Sequence, residues 1–141
     1  MKAAELIQRL NDIPKDEPNF VDALYGALDS VEKVDDPNNF FPPAFSYMRE
    51  RENSDFGVPG PLSHFIEQYF PDYISDLADS LKIMPTEPTL FLARRIFNSA
   101  RIRRDEGSIS ALPVLIKGMR LAKENLQLES WMIEEIDEMM S

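Results

Sequence analysis

Apolar residues recur three and four apart along nearly the whole chain, and prolines or polar clusters interrupt that rhythm at short intervals. Ala3, Leu6, Ile7 and Leu10 predict a short first helix that Pro14 keeps from continuing. Phe20, Val21, Leu24, Ala27, Leu28 and Val31 predict a second, opening after Pro18, whose fixed φ suits a first turn. Asp35 to Asn39 reads as a polar turn, and Pro42-Pro43 as the first turn of a third helix that carries Phe41, Ala44, Phe45 and Met48 to near Arg51. Glu52 to Gly60 is irregular. Leu62, Phe65, Ile66, Tyr69 and Phe70 form the stripe of a fourth helix, and Pro71 restarts the chain into a fifth with Tyr73, Ile74, Leu77, Ala78 and Leu81. Met84-Pro85-Thr86-Glu87-Pro88 supplies a stop, a hydroxyl cap at Thr86 and a proline for the next first turn. The sixth helix, Thr89 to near Ser99, is apolar on most sides and is expected at the centre. Asp105 to Ser110 reads as a loop. Leu112, Leu115, Ile116, Met119 and Ala122 mark a seventh helix, and Met132, Ile133, Ile136, Met139 and Met140 an eighth.

No sustained alternation of β-branched residues competes with this pattern, so the fold class is all-α. About eight short helices joined by short turns predict antiparallel hairpins stacked in a right-handed array, similar to two or three degenerate HEAT repeats with flanking helices. A non-repeat helical bundle is the rival arrangement. Helices this short bury their apolar stripes only against sequence neighbours, which makes a binding surface a better expectation than a catalytic pocket. At 141 residues the chain fits one domain, residues 1–141, with a core large enough to stand without disulfides or metal.

Composition narrows the partners. The chain has no cysteine, which removes thiol catalysis and thiolate zinc sites and suits a reducing cytosol. Glu5 stands where a secretory leader would be apolar, and no stretch approaches the roughly 20 apolar residues of a membrane span, so a cytoplasmic protein with no membrane partner is expected. A net charge of −10 and a pI near 4.5 argue against nucleic acid as the partner. The charge is uneven: residues 90–123 hold eight Lys or Arg against two acids, whereas residues 124–141 hold six acids and no base.

Several constellations carry possible chemistry. Asp55-Phe56-Gly57 spells a kinase magnesium-binding tripeptide, yet the phosphate loop, strand lysine and catalytic loop are missing, so Gly57, Pro59, Gly60 and Pro61 read as a stiff turn with Phe56 plugging the core between the third and fourth helices. His64 and Glu67 lie three apart on the polar edge of the fourth helix, two ligands where a metal needs three or four, which leaves a local pair or a partner contact. Arg94, Asn98 and Arg101 would share a stripe able to take an anion if the sixth helix continued. Cations pairing with the chain's own carboxylates between stacked helices are the preferred reading. Glu134, Glu135, Asp137 and Glu138 on the last helix, with Asp72, Asp76 and Asp79 on the fifth, offer an acidic face that attracts basic proteins and fades with salt. With no Cys, one His and no Gly-x-Ser-x-Gly elbow, no nucleophile and base can be assembled, and neither catalysis nor a cofactor or metal is expected.

The run Asp55 to Glu67, the following Asp79 to Leu92 with its Met-Pro-Thr-Glu-Pro helix start, and Ile96-Phe97-Asn98-Ser99 resemble bacterial immunity proteins with HEAT-like helical folds, from polymorphic-toxin and contact-dependent growth-inhibition systems. The resemblance covers about the middle third. Where that family's pattern has Asn-Arg in the sixth helix, this chain has Arg94-Arg95. The resemblance implies a cytosolic inhibitor that binds a cognate protein toxin, such as a basic nuclease, and protects the producing cell. Asp55, His64, Glu67, Asp72, Asp76, Asp79, Glu134, Glu135, Asp137 and Glu138 are then the expected partner contacts. The alternative function is a helical adaptor that docks a host enzyme or chaperone.

Overall fold

A computed structural model describes residues 1–57 and 59–141; Val58, inside the Asp55 to Glu67 run, lies outside the described residues. Eight α-helices follow in order: α1 (Ala3–Asn11), α2 (Phe20–Leu28), α3 (Pro37–Glu50), α4 (Pro61–Glu67), α5 (Ile74–Ile83), α6 (Glu87–Asn98), α7 (Glu106–Asn125) and α8 (Ser130–Met140). A π-helical turn, Ser99–Arg103, extends α6. No strand occurs among the described residues, and no helix there is long and apolar enough to cross a membrane.

Two helix starts depart from the sequence reading. Pro42 and Pro43 do not open α3; they lie inside it, with the helix already begun at Pro37. Each proline removes one backbone donor and disfavours this position. The compensation is tertiary. Phe40 and Phe41 on that first turn are completely buried, and Asp36 just before it accepts the Ala3 N–H at 2.8 Å, tying the turn to α1. That bond holds the Asp36 carboxyl below its usual range. Asp105 to Ser110 likewise turns out to be the first turn of α7 rather than a loop. Asp105 caps it, accepting both the Ser108 N–H at 3.0 Å and the Ser108 hydroxyl at 2.8 Å.

The cap expected at Thr86 forms. Thr86 Oγ1 accepts the Thr89 N–H at 3.3 Å and Thr89 Oγ1 accepts the Thr86 N–H at 2.9 Å, a reciprocal capping box in a buried setting. Thr86→Ala is expected to cost about 1–2 kcal/mol in urea denaturation and Thr86→Ser much less. Equal losses for the two would mean that the methyl group, and not the hydroxyl, stabilises this start.

The helices contact one another in two rows. α1 lies against α3, α3 against α5 and α5 against α7; α2 lies against α4, α4 against α6 and α6 against α8. Contacts between α1 and α2, α5 and α6, and α7 and α8 join the rows, and α6 also touches α3 and α7, which gives it a central place. The closest pair is α5 and α7. It depends on Gly118, where a Cβ would come within 2.7 Å of the Ala78 carbonyl oxygen. One continuous hydrophobic cluster runs from Ala3 to Met139 through both rows. Arg51 is the buried cation: its Nη2 donates to the Ile13 carbonyl at 2.8 Å and its guanidinium lies 4.5 Å from the Tyr47 ring, fastening the α1–α2 connection to the end of α3.

Candidate functional site

The acids of α8 face inward as much as outward. Arg94 of α6 pairs with Glu135 and, at 3.4 Å, with Glu138; Lys123 of α7 pairs with Asp137. Arg101 in the π turn donates to the carbonyls of Met139 and, at 3.2 Å, Ser141. A cation there meets the negative end of the α8 dipole. The hydrogen bond that Arg94 donates to Glu135 holds the guanidinium above its usual range. Ile136 and Met139 of α8 are fully buried and Met132 and Met140 pack against the core beside them, so the polar contacts orient a helix that apolar burial docks. Arg94 and Arg101 are therefore occupied by α8, and the Arg94, Asn98, Arg101 anion stripe does not form. Glu134 is exposed.

On α5 and the turn before it the situation differs. Asp72, Asp76 and Asp79 fall at i, i+4 and i+7, one stripe of the helix surface. None of the three takes part in an ion pair among the described residues. Partial burial pushes the Asp76 carboxyl up, and the neighbouring Asp79 charge adds to it. Exposed Ile83 continues the same stripe one turn on.

The Asp55 to Glu67 junction is a built turn. Asp55 Oδ1 accepts the Gly57 N–H at 2.9 Å, and Gly57 adopts a φ of +92°, which glycine alone takes at no steric cost. Phe56 is buried edge-on against Phe20 of α2 at 5.1 Å and near Tyr47 of α3 at 6.2 Å, so the plug sits between α2 and α3. His64 is half-exposed on α4, with Nδ1 3.3 Å from Glu67 Oε1. The other Glu67 oxygen is bound by Arg95 of α6. No third metal-ligating side chain joins them among the described residues. His64, Glu67 and Arg95 thus form one group, separate in the fold's contacts from the α8 pairs around Arg94.

Beside that group lies a feature the sequence did not reveal, a cleft of about 640 Å³ between the ends of α4 and α6, the start of α5, the π turn and the first turn of α7. Glu67 and Arg95 line one part of it and Arg103, Asp105 and Ser108 another. Tyr73, nearly inaccessible, also lines it; burial raises its hydroxyl pKa, with the Glu67 charge adding and Arg95 opposing. Arg104, at a φ of +53°, turns the chain out of the π turn and into the α7 cap. Comparison with family models, curated proteins and solved structures returns no match to this chain.

Proposed function

We propose that the protein is an immunity protein, which binds a cognate bacterial toxin stoichiometrically and neutralises it in the cytoplasm. The acidic helical surface is the binding face, and the scaffold is a HEAT-like, right-handed stack of antiparallel hairpins. The two rows of helix contacts support the scaffold reading, since helices one apart in a row are what stacked hairpins present. The observation that carries the functional reading is the α5 stripe: Asp72, Asp76 and Asp79 stand together without internal cations, whereas Glu135, Asp137 and Glu138 are held by Arg94 and Lys123. Asp76 is held there although its charge is disfavoured. A basic partner would relieve that penalty on contact and would meet a field that speeds encounter. Glu134 and the Asp55 to Glu67 junction extend the face, and a basic nuclease is the partner chemistry that suits it.

Co-expression with the toxin encoded beside this gene is expected to restore growth. The triple variant Asp72→Asn, Asp76→Asn, Asp79→Asn is expected to bind that toxin at least about tenfold more weakly at low salt, with the difference shrinking as salt rises. Growth no better with the protein than without it, or capture of a host chaperone or enzyme in place of a toxin from the native cell, would overturn the reading.

A further inference from the structure

The cleft beside the π turn holds an unbalanced set of hydrogen-bonding groups. Its two acids are turned toward the protein: Glu67 takes Arg95 on one oxygen while the other, sealed from solvent and accepting no hydrogen bond, faces His64 Nδ1 at 3.3 Å, and Asp105 Oδ2 receives both Ser108 donors. The donors are left over. Arg95 uses only its Nε, and the side chains of Asn98, Ser99 and Arg103 make no hydrogen bond among the described residues. Residues 95, 98 and 99 follow the i, i+3, i+4 spacing of one face at the end of α6, and the π turn brings residues 102 and 103 to the same cleft. This face neighbours the stripe of Arg94 and Arg101. One stripe is consumed in holding α8; on the other, Arg95 is held by Glu67 through its Nε alone, and Arg103 makes no hydrogen bond or ion pair among the described residues.

Apolar surface adjoins these donors. Phe70 and Ile102 both line the cleft, and Ile102 is 80% exposed, the most exposed large hydrophobic side chain among the described residues. A cavity of a few hundred cubic ångströms with apolar walls and a few convergent polar groups has the make-up of a small-molecule site. Donors in surplus call for an acceptor-rich ligand. Guanidinium groups favour carboxylate or phosphate oxygens, to which their hydrogen bonds are charge-assisted.

We propose that this cleft binds a small organic anion, a carboxylate or phosphate monoester on an apolar or aromatic body, with its acidic head between Arg95 and Arg103 and its body over Phe70 and Ile102. The site shares Glu67 with the proposed toxin face but none of the α5 acids, so variants at Ile102 and Arg103 test it apart from toxin binding. Asn98 and Ser99 supply neutral donors to the head. The local surplus of arginine around residues 94–104 offsets the negative charge of the whole chain at this one place.

The test is a titration of the full-length, ¹⁵N-labelled protein with phenylacetate and with phenyl phosphate, beside benzyl alcohol and inorganic phosphate. Saturable amide shifts centred on residues 67–73 and 95–108 are expected for at least one of the two aromatic anions, with a Kd of about 1 mM or tighter. Whichever anion binds more tightly assigns the head group. Benzyl alcohol is expected not to saturate, and inorganic phosphate to bind at least about fivefold more weakly than phenyl phosphate, through loss of the apolar contact. Arg103→Gln, at an exposed position that makes no hydrogen bond or ion pair among the described residues although its charge acts on Asp105, is expected to weaken binding about tenfold and Ile102→Ser several-fold, both with unchanged folding. No saturation by either aromatic anion, shifts centred on α8, or unaltered affinity in Arg103→Gln would overturn the proposal.

Discussion

Gly60→Ala is expected to cost more than about 3 kcal/mol, and the variant to lose most of its folded population at moderate urea. A Cβ on Gly60 would lie 1.7 Å from the Phe56 carbonyl oxygen and 2.8 Å from its carbonyl carbon. Both are backbone atoms, so no rotamer change relieves the clash. The chain would have to move Phe56, and with it the ring that packs against Phe20 and Tyr47. The same substitution at Gly26, where nothing lies within 4 Å of a new Cβ, is the control: in the exposed face of α2 it is expected to stabilise by about 0.5–1 kcal/mol. Urea denaturation of both variants tests the pair. A Gly60→Ala loss as small as 1 kcal/mol would mean that the turn between α3 and α4 is not fixed as described.

The contrast between these two glycines marks what a sequence carries and what it does not. Helix existence was legible because Leu6 and Leu10, Leu24 and Leu28, or Leu77 and Leu81 repeat at the helical period and each proves buried. Thr86 was legible because its cap is local, closed within three residues. The α3 start was not. A proline pair is most easily read as a first turn, and only burial of Phe40 and Phe41 by distant helices keeps the chain helical ahead of it. Asp105-Glu106-Gly107-Ser108 reads as loop because its composition is polar, although the Asp followed three residues later by Ser is itself a cap pattern that could have revealed the α7 start.

The candidate site divides in the same way. That arginines of the 94–104 stretch would meet the chain's own acids follows from charge balance, and Arg94 does meet Glu135 and Glu138. Which acid each arginine meets depends on a one-residue difference in helical facing, Arg94 toward Glu135 and Glu138 of α8 and Arg95 toward Glu67 of α4. The π turn then sets where Ile102 and Arg103 project. Nothing in the residue types signals that turn. The cleft it borders joins residues from α4 to α7, a convergence that only packing creates.

Phe41→Ala probes that packing and is expected to cost about 3–5 kcal/mol. Phe41 is completely buried and meets Tyr69 at 5.7 Å and Tyr73 at 6.1 Å, both edge-on. Removing the ring leaves a void that these two tyrosines cannot fill freely, since each has a second duty. The Tyr69 hydroxyl accepts the Val34 N–H at 2.8 Å, so a shift of its ring strips a partly buried donor of its partner. Tyr73 lines the cleft between α4 and the π turn, so its movement reaches that site as well. Phe41→Leu keeps most of the volume and is expected to cost about 1–2 kcal/mol while leaving the Val34 amide protected from hydrogen exchange. In Phe41→Ala that amide should lose protection beyond the fall in global stability. Equal protection in the two variants, once corrected for that fall, would mean that Phe41 fills space without positioning Tyr69, and the link from the first turn of α3 to the cleft would be broken.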